Sequence, residues 1–205
     1  MVKSMLYELN RRGFSLGNEL LDLIVSGFIA AFGLAGIGLV YLFYNPTSFY
    51  SGVVVGAVVG LIIHELAHRE SARGFGCYAR YSIYPLGIVI TLVSGLLRSL
   101  GFWFAFIMTG YVLTYCPFGG DRASGWISLW GPASNIVLSL IGFLASFFAP
   151  CCGLLFKGFG EMNAWLAFFN LLPFYPLDGS KVFRFNPVLW LLMIVVSGFL
   201  VFYVS

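Results

Sequence analysis

From Leu23 to Tyr44 the chain carries no charged side chain, and several later stretches read almost the same way. Such runs leave few options for the backbone. Hydrocarbon offers no partner for an unpaired N–H or C=O, so a segment that spans lipid must be a helix or part of a closed barrel. A helix needs about 20 apolar residues to cross. Leu23 to Tyr44 is long enough and ends at the helix-breaking Asn45-Pro46. Val53 to His68 is a second apolar segment, rich in Gly and Val, and Ile127 to Ala149 is a third, interrupted early by Gly131-Pro132. Ala164 to Leu177 is a shorter fourth, broken by Pro173 and Pro176, and Val188 to Val204 is a fifth. The pattern predicts an all-α polytopic membrane protein with about five transmembrane helices.

Composition agrees. Only 9% of the 205 residues are charged, where soluble domains run near a quarter. The length leaves no room for a second soluble domain, and no linker or low-complexity tract marks one. One membrane-embedded domain over residues 1–205 is expected, with the lipid bilayer around it. Aromatic content of 19% suits membrane interfaces, where Trp and Tyr collect. The net charge of +3 is small and the cations form no stripe with interleaved aromatics, which excludes nucleic acid as a partner. The leader Met1 to Asp22 mixes acids with bases, and no A-x-A site follows the first apolar run, so that run reads as a span and not a signal peptide.

Charges suggest an orientation. Lys3, Arg11 and Arg12 precede the first span, and Arg69, Arg73 and Arg80 follow the second. Arg122 precedes the third, Lys157 stands alone after it, and Lys181 and Arg184 follow the fourth. The positive-inside rule then places the N-terminus in the cytoplasm, in the cell membrane. The alternation holds only if Pro85 to Tyr115 crosses zero times or twice. That region is apolar but carries Arg98, and its runs Ile88-Val89-Ile90-Thr91 and Tyr111-Val112-Leu113-Thr114-Tyr115 are β-prone. It reads as a helical hairpin or as strands at the membrane face.

His64-Glu65-Leu66-Ala67-His68 carries the chemistry. Histidines four apart on a helix share one face, and two imidazoles can converge on one Zn²⁺ at about 2.0–2.1 Å. Glu65 lies about 100° round from His64, close enough to work on a water without being a ligand. Zinc brings a water's pKa to around 7, and a carboxylate beside it can take the proton. The chain has only two histidines, and both sit here in an apolar segment, where ionisable clusters are costly and by default functional. The bland alternatives are a polar knot pairing Glu65 with Arg69 or Arg73, or two histidines meeting a haem. Haem would not need Glu65.

Zinc wants a third protein ligand and an open position. Glu8, Glu19 and Asp22 lie in the leader, Glu70 points elsewhere on the helix, Asp121 is beside Arg122, and Glu161 is at the far end of the fourth span. Asp178 remains, in Asn170-Leu-Leu-Pro-Phe-Tyr-Pro-Leu-Asp178-Gly179. Counted from Val53, His64 lies ~17 Å into its helix, and Asp178, counted from Ala164, at most ~21 Å if helical. Both segments enter from the same side, so the depths match. The alternative for Asp178 is a plain exit turn. Asn170 could hydrogen-bond the oxyanion of a tetrahedral intermediate or another helix. Asn135, after Gly131-Pro132, could hold a substrate strand or a neighbouring helix. The cysteines Cys77, Cys116, Cys151 and Cys152 form no C-x-x-C pair, which argues against a cysteine zinc site; adjacent Cys151 and Cys152 read as apolar fillers, though they could pair outside the cytosol.

These residues resemble the site-2 protease family of intramembrane zinc metalloproteases. The resemblance rests on HELAH, on Gly131-Pro132-x-x-Asn135 and on Asn170-x-x-Pro173-x-x-Pro176-x-Asp178-Gly179, in the family's order, from Val53 to Gly179. It implies a three-helix catalytic core within about residues 53–180, built from the second, third and fourth spans. It implies one Zn²⁺ per chain bound by His64, His68 and Asp178, with Glu65 as base and Asn170 helping to polarise the substrate carbonyl. It implies hydrolysis of peptide bonds in or near transmembrane segments of other membrane proteins. Many members carry PDZ or CBS domains, and this sequence shows neither. The family also tends to form membrane-associated strands after HELAH, so residues 78–118 are expected to be a β-like segment, whose edges could take an unwound substrate by strand addition. The competing reading is a catalytically inactive zinc-binding membrane scaffold. A zinc transporter would want several acidic or His positions along a path, and only one cluster is present.

Overall fold

A computed structural model describes residues 13–36, 38, 44, 45, 48–102, 106–117 and 120–204. Lys3, Arg11 and Arg12 lie outside these residues, as does much of the expected first span beyond residue 36. Seven helices and two strands follow one another among the described residues: α1 Glu19–Ala35, α2 Phe49–Gly74, β1 Tyr78–Ile83, α3 Pro85–Ser99, β2 Gly110–Tyr115, α4 Gly120–Phe148, α5 Gly153–Asn170, α6 Asp178–Phe185 and α7 Pro187–Phe199, which runs on as a π-helical turn Leu200–Val204.

Among the described residues three helices are long and apolar enough to cross a membrane: α2, α4, and α7 with its π turn. Five were expected. The described part of α1 is 17 residues long. The expected fourth span is displaced. Its helix, α5, starts at Gly153 and stops at Asn170, so it takes in Lys157 and Glu161 and excludes Pro173 and Pro176. The prolines end it because neither can continue the backbone ladder. α7 turns Val188, Leu191, Leu192, Val195 and Phe199 outward, and α4 exposes Val137, Leu140, Ile141 and Leu144. Apolar residues on such outer faces suit lipid and would be a liability in water.

α2, α4 and α5 pack on one another pairwise. The close approach of α2 and α5 is written in Gly52, Gly56 and Gly60, four residues apart on one face of α2. A side chain at Gly52 would run into the Leu155 carbonyl, one at Gly56 would meet Met162 and Phe159, and one at Gly60 would meet Asn163. Where lipid removes the hydrophobic drive between helices, small residues at this spacing let backbones touch.

The region after α2 is part strand and part helix. β1 and β2 pair antiparallel, from Tyr78↔Tyr115 to Ile83↔Gly110. Between them Pro85 to Ser99 is helical, against the β-propensity of Ile88 to Thr91. Pro85 opens the helix, where its fixed φ suits the first turn, and Thr91 Oγ1 donates to the Gly87 carbonyl at 2.8 Å. Packing against α1 settles the matter: Gly33 of α1 accommodates Thr91, and Gly95 of α3 accommodates Phe32. At 15 residues, α3 rises ~22 Å, short of the ~30 Å hydrocarbon layer.

Cys77 and Cys116 form a disulfide across the open end of the hairpin, one residue outside each strand. The other edge of β1 is also occupied. Phe14 and Ile83 exchange backbone hydrogen bonds of 2.9 Å in both directions, and the Tyr81 amide donates to Glu19 Oε1 at 2.8 Å.

Candidate metal centre

The helical spacing of α2 sets His64 and His68 one turn apart, with ring centroids 4.6 Å apart. Their Nε2 atoms are 3.0 Å apart. Asp178 Oδ2 lies 2.9 Å from His68 Nε2 and 3.3 Å from His64 Nε2. Tetrahedral ligands around zinc, at bonds of 2.0–2.1 Å, stand about 3.3 Å from one another. The three atoms therefore have nearly the edge lengths of one face of a zinc tetrahedron. Among the described residues they form a group able to hold a metal ion, and both histidines are buried.

Each imidazole is held by its other nitrogen. His64 Nδ1 lies 2.6 Å from Asn135 Oδ1, and His68 Nδ1 lies 2.7 Å from the Ile127 carbonyl. Both partners are acceptors, so both Nδ1 atoms donate, and both Nε2 atoms turn a lone pair into the site. Metal-ligating histidines characteristically donate their second N–H in this way. Pro132 sits within α4 and leaves the Ser128 carbonyl without its helical donor, next to the Ile127 carbonyl used by His68.

Gly131 fits the same purpose. A Cβ there would run into His68 Nε2 and stand 2.7 Å from His64 Nε2. The absent side chain leaves the space in front of both lone pairs open. Glu65 is 8% exposed, and its Oε2 is buried without a hydrogen-bond partner. The arginines expected as its rivals look elsewhere. Arg69 donates to Glu19 Oε2 and Glu70 Oε1, and Arg73 to Glu70 Oε1 and the Ala79 carbonyl. A buried, unpaired carboxylate oxygen beside three converging ligand atoms, with room kept by a glycine, fits a catalytic zinc ion and its water.

Asp178 lies beyond the break that Pro173 and Pro176 were expected to make in the fourth segment. It is the first residue of α6, reached through a non-helical stretch after Asn170 that contains a cis Tyr175–Pro176 bond. Gly179 makes this approach feasible, because a side chain there would strike the Leu171 and Leu172 backbone.

Asn170 lies at the end of α5, where its Nδ2 donates to the Leu166 carbonyl of its own helix at 2.9 Å. Asn135 is fully buried. Its Nδ2 donates to the Gly60 carbonyl at 3.1 Å and to Asn163 Oδ1 at 2.9 Å. Both amide hydrogens are thus used inside the protein, and neither is free for a substrate strand. Two further residues shape the site. One is Gly131, read in the sequence as a point of close backbone approach and here keeping space in front of the two imidazoles. The other is Asn163, which the sequence reading passed over and whose signal was a second amide seven residues before Asn170, two helical turns away in an apolar run.

No protein-family model and no solved structure matches the chain. Curated relatives do. A Methanocaldococcus jannaschii protein named "Putative zinc metalloprotease MJ0611" is 34% identical over 175 residues, covering 84% of this chain and 86% of the relative. YwhC of Bacillus subtilis, named in the same words, is 28% identical over 68% of this chain and 70% of its own length. Rip2 of Mycolicibacterium smegmatis, again so named, is 28% identical over 62% of this chain and 54% of its own length. With the first relative matched across most of both proteins and the candidate zinc group in place, the chain belongs to the family of zinc metalloproteases that these relatives represent, and Zn²⁺ is its cofactor.

Proposed function

We propose that this protein is an intramembrane endopeptidase that hydrolyses peptide bonds in or near transmembrane segments of other membrane proteins. One observation carries the reading. The helix that supplies His64, Glu65 and His68 is itself long and apolar enough to span a membrane, and its ligand atoms converge with Asp178 in its buried face. His64, His68 and Asp178 would hold the zinc. When bound, zinc supplies a Lewis acid that polarises a carbonyl and acidifies water. Glu65 Oε2 takes the proton of the attacking water and passes it to the leaving amine nitrogen. Asn170, with one amide hydrogen beyond its bond to Leu166, donates to the substrate carbonyl as negative charge develops there. The core doing this is residues 53–180, centred on α2, α4 and α5.

A helical substrate hides its scissile carbonyl, so it must extend before cleavage. Phe14 and Glu19 already occupy the outer edge of β1. That leaves the outer edge of β2 as the strand to which an unwound segment adds. The pairing of Ile83 with Gly110 brings the chain back to the level it left, so residues 84–109 cross a bilayer zero times or twice. This supports the orientation with a cytoplasmic N-terminus in the cell membrane.

The alternative, an inactive zinc-binding scaffold, has no need of an unpaired Glu65 Oε2. The test is Glu65→Gln in the purified full chain, assayed on a membrane-embedded protein substrate. Cleavage should fall by at least ~100-fold with zinc content unchanged. Equal cleavage by the variant and the native protein would remove Glu65 from the mechanism.

A further inference from the structure

Asn163 of α5 lies beyond direct reach of the three candidate ligands, yet it is fully buried and polar in an apolar helix. Its hydrogen bonds form a directed chain. His64 Nδ1–H donates to Asn135 Oδ1 at 2.6 Å. Asn135 Nδ2 donates to Asn163 Oδ1 at 2.9 Å. Asn163 Nδ2 donates to the Phe159 carbonyl at 2.9 Å, with the Gly56 carbonyl at 3.5 Å. Every link has one sense, from the imidazole on α2, through α4, to the backbone of α5.

The direction fixes more than position. An isolated Asn135 amide could turn either end toward His64. With its –NH₂ end committed to two carbonyl oxygens, those of Gly60 and Asn163, only Oδ1 can face the imidazole. His64 must then carry its proton on Nδ1 and keep Nε2 free. Chains of this kind also polarise one another, strengthening each bond in a dry interior. His68 has no such chain, because the Ile127 carbonyl holds it directly. Gly60 completes the arrangement, since a side chain there would displace Asn163 Oδ1.

We infer that Asn163 is a positioning residue for the zinc centre, setting the orientation and tautomer of His64 through Asn135. The inference rests on His64 being a zinc ligand. Its test uses the full chain with Asn163→Leu, which keeps the branched skeleton and removes the acceptor, and Asn163→Asp, which keeps an acceptor toward Asn135. Zinc affinity is measured by chelator competition. In parallel, the Nδ1–H resonances are followed by NMR, and a chain with two histidines offers only two. Asn163→Leu should bind zinc 10–100-fold more weakly, the usual cost of losing an outer-shell partner. It should shift the His64 signal and leave that of His68 in place, and Asn163→Asp should restore much of the affinity. If Asn163→Leu fails to fold, Asn163→Ala is read the same way. Affinity within twofold of native together with an unmoved His64 signal overturns the inference. So does a loss of affinity with both histidine signals moving equally, which marks a general packing defect. A native protein that holds no zinc would sink the metal reading, while the two Nδ1–H signals would still decide the role of Asn163.

Discussion

The metal centre and the sheet beside it are held together by different means. At the centre, α2, α4 and α5 meet through glycines, and their polar groups are amides and imidazoles that satisfy one another away from water. In the sheet layer the fastenings are a disulfide, backbone bonds from Phe14 to Ile83, and Glu19, which joins Arg69 of α2 to the Tyr81 amide of β1. The first arrangement fixes the orientation of the ligand side chains. The second ties a strand pair to the helix that carries the ligands. The difference implies that the metal centre and the sheet can be perturbed separately, and four substitutions with one control measure how separately.

The largest effect is expected at the centre. Asp178→Ala should abolish stoichiometric zinc, measured by metal analysis of purified protein, while the helical circular dichroism persists. Gly131→Ala should be nearly as damaging. Its new methyl stands against both Nε2 atoms, so zinc affinity should fall by at least ~10-fold although Ala favours helix by ~1 kcal/mol. Gly74→Ala, where a Cβ meets nothing, is the control and should leave zinc unchanged. In the sheet layer, Cys77→Ser opens a loop with a sequence separation of 39. It should cost the hairpin roughly 4 kcal/mol by the chain-entropy account. Hydrogen exchange in β1 and β2 should rise, and zinc content should hold. The smallest effect belongs to Glu19→Gln. The Glu19–Arg69 pair is about one-fifth exposed, so its loss should cost on the order of 1 kcal/mol, read as faster exchange at the Tyr81 amide. Zinc loss in either sheet variant would break the separation between the two regions.

Much of this was legible in the sequence because it depends on local spacing. HELAH on an apolar helix places two imidazoles by geometry alone. Asp178 was found by elimination among few acids, with the helix before it read as broken by Pro173 and Pro176. Pro173 and Pro176 end α5 outright, and Asp178 starts its own helix. The β-prone run Tyr111 to Tyr115 became a strand, whereas Ile88 to Thr91 became helix, because contact with α1 outweighs intrinsic preference there. The Cys77–Cys116 pair was invisible for a different reason. Its partners adjoin only once the strand register is known. The Asn135–Asn163 bond likewise joins two helices whose relative rotation no single run reveals.

The most direct test of the account is the position of the cut. Purified protein is reconstituted in lipid with a single-span substrate, and the products are mapped by mass spectrometry beside those of Glu65→Gln. The account predicts cleavage in or at the edge of the apolar segment by the zinc-loaded native protein, and none by Glu65→Gln with its zinc retained. Cuts confined to the water-exposed tails, or the same cuts by both proteins, would contradict it.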